Sequence, residues 1–182
     1  MSRPLLVVDG DSFAHRAYHG LPKSVRLNAV VGFTNMLVRL WESEEPRAVF
    51  VGWDTLTVPT YRHEALEGYQ SGRVFDKSLL EQLDMLPELV RSLGFAAAKE
   101  DGYEADDFLG AAVRFEEKRG GTAVVATSDR DSFQLASEQT TIVTPVRGVS
   151  ELTRIGPEQV RERYGVEPAQ VPDFIALRGD PS

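Results

Sequence analysis

The sequence predicts a single α/β domain with three layers, a mainly parallel central sheet and helices on both of its faces. Three short apolar runs, at residues 5–8, 48–51 and 122–126, have the length of buried strands and are bounded by polar or turn residues. The segments between them repeat apolar residues at helical spacing. Strands that alternate with helices favour parallel pairing through right-handed crossovers.

The remaining elements follow from the same patterns. Gly120 and Gly121 would end one helix, and Pro157 suits the first residue of another. The expected elements, in order, are helices at 31–40, 79–93 and 108–115, a short strand at 142–143, a helix from Pro157 to about Tyr164 and a last helix at 171–177.

Composition limits the classes of function. A chain of 182 residues with 42% hydrophobic content can bury one core. Without a membrane-length apolar run or a leader pattern, it is expected to be cytoplasmic and to have no membrane partner. No cysteine is present, so a metal would be held by oxygen or imidazole. The three histidines are scattered without a zinc pattern, which favours a hard cation such as Mg²⁺.

The net charge of −8 is unusual for a protein that binds nucleic acid. It is compatible with one if the acids gather at a metal site, because bound cations reverse the local charge. Their positions favour this, since acids follow each predicted strand and would meet at the carboxyl edge of a parallel sheet. These acids are Asp9, Asp54, Asp129 and Asp131 after the three runs, and Glu104, Asp106 and Asp107 at the start of the helix that follows residues 95–98.

Such a cluster predicts metal-assisted hydrolysis of a phosphodiester bond. Carboxylates roughly 4 Å apart repel by several kcal/mol at an effective dielectric of about 20. Two Mg²⁺ or Mn²⁺ ions about 3.5 to 4 Å apart would offset this repulsion and activate water.

Each acid taken alone has a simpler structural interpretation. Asp9 could form a turn with Gly10, and Asp54 could close a strand. The acids from Glu104 onward could stabilise a helix N-terminus, and Asp131 could cap residues 132–135. None of these interpretations explains why four separate segments deliver acids to one edge.

Six segments, in order along nearly the whole chain, resemble the 5′-3′ exonuclease domain of bacterial DNA polymerase I and the stand-alone 5′-3′ exonucleases. They are residues 8–10, 16–19, 61–64, 102–107, 128–131 and 176–180. The resemblance implies a PIN-like 5′ nuclease fold in a monomer that cuts DNA at 5′ ends and flaps during replication and repair. It also implies that Asp9, Asp54, Glu104, Asp106 and Asp107 serve a first metal, and Asp129, Asp131 and Asp180 a second.

The segment at 55–76 resembles the arch through which relatives pass a single-stranded 5′ end. Here Tyr61, Arg62, Tyr69 and Arg73 interleave aromatic and basic side chains, which suits stacking on bases and pairing with phosphates. The alternative is a surface loop whose aromatic side chains pack locally. Outside the segment, Arg16 and Lys23 are further phosphate-binding candidates.

The sequence departs from relatives in three places. Gln70 stands where relatives commonly carry a lysine thought to act at the scissile phosphate, so either the reaction is slower or Arg73 or Arg62 replaces the lysine. The connection between residues 19 and 28 is short compared with that of the polymerase domain. Relatives continue beyond Ser182 with another acid and a helical DNA-binding hairpin, so we expect a truncated N-terminal catalytic domain.

Three competing functions remain open. The Asp9-Gly10-Asp11 sequence mimics the paired aspartates of haloacid-dehalogenase phosphatases, in which the first is a nucleophile. A nuclease of the same fold could act on RNA. The truncated chain could also bind branched DNA with little or no cutting.

Overall fold

The computed structural model describes residues 3–56, 58–66, 75–147 and 151–179. Six strands in this part of the chain form one sheet in the order β3-β2-β1-β4-β5-β6. The pairings among β1 to β5 are parallel, and β6 runs antiparallel to β5 at the edge. The strands are β1 (Leu5–Asp9), β2 (Ala48–Gly52), β3 (Ala96–Ala98), β4 (Ala123–Ala126), β5 (Thr140–Arg147) and β6 (Glu151–Ile155).

Helices cover both faces of this sheet. Side chains alternate along β1, so Leu6 and Val8 face one core and Val7 faces the other. The first core packs against α1 (Gly10–Gly20), α2 (Asn28–Glu44) and α4 (Lys77–Ser92). The second packs against α5 (Ala105–Lys118), α6 (Pro157–Tyr164) and α7 (Val171–Arg178). The predicted three-layer α/β architecture is confirmed.

Four elements were not predicted, one of which is the short 3₁₀ helix Pro168–Gln170. Helix α1 follows β1 with no loop between them, because Asp9 is both the last strand residue and the N-cap of the helix. The short helix α3 (Tyr61–Ala65) lies inside the segment compared with an arch. Strand β6 is mostly solvent-exposed, so it lacks the apolar run that revealed the buried strands.

One helix-terminal residue also differs from expectation. Asp131 does not cap the helix that follows it, because the 3₁₀ helix Asp131–Leu135 begins at Asp131 itself and has Arg130 at its N-cap. Among the described residues, none of the helices has both the length and the apolar character to cross a membrane.

Gly10 is required by a close approach between α1 and Trp53, the residue that follows β2. A Cβ at Gly10 would lie 2.5 Å from the ring of Trp53, which is fully buried. We expect Gly10→Ala to destabilise the domain by about 1 to 3 kcal/mol, as overpacked core substitutions do. The measurement is urea unfolding.

The matched control is Gly20→Ala at the other end of α1. A Cβ there meets nothing within 4 Å. This variant is expected to be neutral or more stable by up to about 1 kcal/mol. If both substitutions changed the free energy of unfolding by the same amount, the Trp53 ring would have to move aside without any loss of stability.

Candidate active site

Asp9 is the centre of the acidic cluster. Its Oδ1 accepts a hydrogen bond from the Ser12 N–H (3.0 Å), and its Oδ2 accepts one from the Thr127 hydroxyl (2.8 Å). The side chain is only 6% exposed, because α1 and the β4 loop both close over it. Asp9 is therefore held at the meeting point of β1 and β4.

Asp54 connects the end of β2 to the start of α5. Its Oδ1 accepts a hydrogen bond from the Ala105 N–H (2.7 Å). Its own N–H donates to the carboxylate of Asp11, at 2.7 Å. The loop after β2 is thus held by contacts to two different helices.

Glu104 and Asp107 form the link between α3 and α5. Glu104 is the N-cap of α5, and its carboxylate accepts a hydrogen bond from the Thr60 hydroxyl (2.9 Å). Asp107 accepts two hydrogen bonds from the Arg62 guanidinium, at 2.9 and 3.0 Å, and one from the Tyr61 hydroxyl at 3.1 Å. Arg62 also lies 3.5 Å from the Glu104 carboxylate. These contacts anchor the base of the arch-like segment beside the acids.

Asp129 and Asp131 complete the described cluster. The Asp129 N–H donates to the Thr127 hydroxyl (3.0 Å), and the Asp131 N–H donates to Asp129 Oδ1 (2.9 Å). On α5, Asp106 accepts a hydrogen bond from the Ser132 hydroxyl at 3.4 Å. A cavity of about 550 Å³ opens here, lined in part by Tyr61, Arg62, Asp106, Asp107, Arg114 and Asp131.

The electrostatics of the cluster are unfavourable for its charged form. The pKa of Asp9 is raised to about 7, chiefly by burial; the charges of Asp54 and Asp129 also raise it, while the hydrogen bonds from Ser12 and Thr127 lower it. Burial also raises the pKa of Asp106 to about 7, with further contributions from Asp9 and Asp129. Bringing these carboxylates together therefore has a cost that a positive ligand would offset.

Asp107 differs from its neighbours. Partial burial raises its pKa, but the hydrogen bonds from Arg62 and the Glu104 N–H outweigh this, so the pKa is lowered overall. Burial has the opposite effect on Arg62, whose pKa is nevertheless raised by Asp107 and Glu104. The negative charge of Asp107 is thus balanced by the Arg62 guanidinium.

The structure brings most of the predicted acids to one edge of the sheet. Oxygen donors of this kind fit a hard divalent cation. Within the described ranges, however, no three Asp, Glu or His side chains are arranged to hold a metal ion. Several carboxylate oxygens are instead engaged by hydrogen bonds from the chain, so ligation would require some of these bonds to be exchanged.

The remaining predicted residues are located as follows. The Arg16 guanidinium donates a hydrogen bond to the backbone carbonyl of Val146 (2.8 Å). Lys23 is exposed on the loop between α1 and α2. Four predicted site residues lie outside the described residues: Tyr69, Gln70, Arg73 and Asp180.

Two site residues were missed from the sequence. Asp11 is 7% exposed, and burial followed by repulsion from Asp54 raises its pKa well above the ordinary range. Thr127 is fully buried, and its hydroxyl joins Asp9 to the backbone of Asp129. A buried threonine looks like any strand residue in sequence, whereas an acid two positions after Asp9 was a usable signal.

Thr127→Val tests the role of this hydroxyl. Valine keeps the shape of the side chain but removes both hydrogen bonds, so Asp9 and Asp129 lose their shared support. By analogy with groups that orient metal ligands, we expect activity to fall about 10- to 100-fold while the variant stays folded. Thr127→Ser is the control and should retain most activity. If Thr127→Val is as active as the unchanged protein, the hydroxyl has no such supporting role.

The fold and the acidic cluster together define the class of 5′ nucleases built on a PIN-like sheet. The chain belongs to the family described as 5′-3′ exonuclease, N-terminal resolvase-like domain, whose family model matches residues 4–165. Among curated relatives, DNA polymerase I of Mycobacterium leprae is 41% identical over 186 residues, which covers 98% of this chain. The match covers 20% of that polymerase, so the chain spans about a fifth of the length of its relative.

Solved structures agree on the fold. A bacteriophage T5 protein co-crystallised with metal ions matches with a TM-score of 0.81 and 19% identity, covering 98% of this chain and 67% of that one. The bacteriophage T5 flap endonuclease, in a pseudo-enzyme-product complex with DNA and metal ions, matches with a TM-score of 0.79 and 19% identity over the same shares. The predicted family and fold are confirmed.

Proposed function

We propose that this domain is a metal-dependent 5′-3′ exonuclease and 5′-flap endonuclease that hydrolyses phosphodiester bonds in DNA. The observation that carries the proposal is the convergence of buried acids at one sheet edge, where Asp9 and Asp106 have pKa values raised to about 7. Bound cations would offset the repulsion among these carboxylates and the cost of burying their charges. The T5 relatives with bound metal ions support this interpretation.

The proposed ligands are those that the resemblance to the 5′-3′ exonucleases implies. Asp9, Asp54, Glu104 and Asp106 would hold one Mg²⁺, with Mn²⁺ able to substitute. Asp129, Asp131 and Asp180 would hold the second. When bound, such a pair of cations supplies an activated water and offsets the charge that develops on the phosphate. Asp107 contributes to the site by orienting Arg62.

The base of the arch-like segment offers contacts for a single strand. The guanidinium carbon of Arg62 lies 4.7 Å from the centre of the Tyr61 ring, which makes edge contact with Tyr103 at 6.4 Å. Both tyrosines are 49% exposed. The aromatic surface suits stacking on bases. Arg62 is paired with Asp107 and Glu104, so it would have to exchange these contacts to bind a backbone phosphate. Arg16, Lys23, Tyr69, Gln70 and Arg73 remain predicted DNA contacts, with Arg73 predicted at the scissile phosphate.

The test is cleavage of a 5′-flap DNA labelled at its 5′ end, in the presence of Mg²⁺, Mn²⁺ or EDTA. We expect short labelled products that require the metal. A matched RNA flap separates a DNA nuclease from an RNA nuclease of the same fold. Tight binding of the flap without any cutting in Mg²⁺ or Mn²⁺ would replace the proposal with the binding-module interpretation. The monomeric state and the cytoplasmic location also stay predictions.

A further inference from the structure

We infer that a second cavity, whose lining residues differ from those of the cavity beside the acidic cluster, binds a phosphate group of the DNA backbone. This inference rests on the proposed function, because DNA supplies the phosphate. The cavity measures about 190 Å³ and is lined by residues of α6 and α7 and by Arg130, which directly precedes the 3₁₀ helix. Three arginines line it, namely Arg130, Arg163 and Arg178, and we call it the arginine pocket.

Charge is the first argument. Five other arginines of the described chain pair with carboxylates, whereas others outside the pocket, such as Arg39 and Arg114, form no ion pair there; the five are Arg47, Arg62, Arg91, Arg154 and Arg161. Within the same part of the chain, none of the three pocket arginines forms an ion pair. Three guanidinium groups that line one small cavity in a chain of net charge −8 favour an anion there.

The arginines of α6 and α7 are positioned by aromatic rings. The guanidinium carbon of Arg163 lies 5.8 Å from the ring centre of Phe133 and 5.5 Å from that of Tyr164. That of Arg178 lies 5.7 Å from the ring centre of Phe174. Cation–π contacts hold these guanidinium groups near the rings, and a guanidinium donates hydrogen bonds in a fork that matches phosphate oxygens.

An unsatisfied hydroxyl is an independent observation. The Tyr164 oxygen is buried, and within the described part of the chain it has no hydrogen-bond partner. Tyr164 lines the same pocket as the arginines. Buried polar atoms normally have a partner, and a phosphate oxygen would accept from this hydroxyl.

A simpler explanation accounts for only part of the pocket. Arg163 and Arg178 lie in the last turns of their helices, where positive charge stabilises the helix C-terminus. That explanation covers neither Arg130, which lies outside both helices, nor the hydroxyl of Tyr164. A bound phosphate accounts for all three arginines, and it would accept from the Tyr164 hydroxyl once that buried group becomes exposed to the pocket.

The position of the pocket relates it to the acids. Arg130 lies between Asp129 and Asp131, yet it lines the arginine pocket while Asp131 lines the cavity of the acidic cluster. The two sites therefore share the start of the 3₁₀ helix as a common wall. A phosphate held by the pocket would fix the register of a DNA strand relative to the proposed metal ligands.

The experiment compares Arg163→Ala with Arg161→Ala. Both substitutions remove one positive charge from α6, but Arg161 lies outside the pocket and pairs with Glu167. Binding of a 5′-flap DNA is measured by fluorescence anisotropy in Ca²⁺ over a series of salt concentrations. Losing one phosphate contact should make the slope of log K against log salt less negative by about one. We expect this change and severalfold weaker binding for Arg163→Ala alone, with the slope restored by Arg163→Lys.

Two further measurements separate the interpretations. Thermal unfolding checks that each variant is folded, and cleavage in Mg²⁺ is recorded for the unchanged protein on the same DNA. An altered slope without any cleavage would support the pocket and reject the proposed nuclease. Cleavage with the same slope for Arg163→Ala and the unchanged protein would reject the pocket and leave the nuclease standing. Failure of the unchanged protein to bind the flap would reject both.

The source of the phosphate is tested by titrating inorganic phosphate while recording NMR signals of the arginine Nε–H groups. Shifts of the pocket signals with DNA but not with inorganic phosphate would assign the site to the backbone phosphodiester. Shifts with inorganic phosphate alone would overturn the DNA assignment, and shifts with neither would overturn the pocket.

Discussion

Asp129→Ala is expected to lower the rate of flap cleavage by more than about 100-fold while leaving flap binding in Ca²⁺ largely intact. Loss of groups that only orient metal ligands costs about 10- to 100-fold, and loss of a proposed ligand should cost more. Asp129 is exposed and lies outside the hydrophobic core, so the loss of its hydrogen bond from the Asp131 N–H should not unfold the domain. Single-turnover cleavage and anisotropy measure the two effects separately.

The matched control for this variant is Glu42→Ala. Glu42 is an exposed residue of α2 and lies outside the acidic cluster, but its removal changes the net charge by the same amount. The control should cut at the normal rate. Near-normal cutting by Asp129→Ala would refute the assignment of this carboxylate to the metal site.

The stability of the metal-free domain is expected to fall as the pH rises from about 4 to about 7. The pKa values of Asp9 and Asp106 are raised from 3.8 to about 7, so the folded state binds more protons than the unfolded state in this interval. Their stabilising contribution is complete below the unfolded pKa and is lost as the pH passes the folded pKa. At about 1.4 kcal/mol per pKa unit, the two groups together can change stability by several kcal/mol.

Urea unfolding in EDTA at a series of pH values measures this dependence. Asp106→Asn should be more stable than the unchanged protein at pH 8 and should show a shallower fall with pH, because one of the buried charges is gone. Mg²⁺ should stabilise the unchanged protein more at pH 8 than at pH 5, since deprotonated carboxylates bind cations. Stability that rises with pH across this interval in EDTA would contradict the raised pKa values.

Local patterns were sufficient to predict the buried strands. The apolar runs that became β1, β2 and β4 are short, continuous and bounded by polar residues, which is the signature of strands covered on both faces. Pro157 was correctly predicted as the first residue of α6. Strand β6 was not predicted, because an exposed edge strand has no continuous apolar run and its pairing depends on the neighbouring β5.

The positions of the acids were likewise predictable, but their individual environments were not. Asp9 ends β1 and Asp54 follows β2, as the pattern required. Nothing in the sequence distinguished Asp107, which pairs with Arg62, from Asp106, whose charge is opposed by burial and by other acids. That difference arises because α3 returns the chain to the start of α5.

The sequence by itself determined the fold class, the family and the edge of the sheet where the carboxylates gather. These features depend on periodicity and on motifs that are local in the chain, and a parallel sheet brings all its carboxyl ends to one side. Only the tertiary structure decided which acids share a buried environment and that Thr127 joins two of them. Only it decided that three distant arginines line one pocket, because burial and charge pairing depend on neighbours that the chain order does not specify.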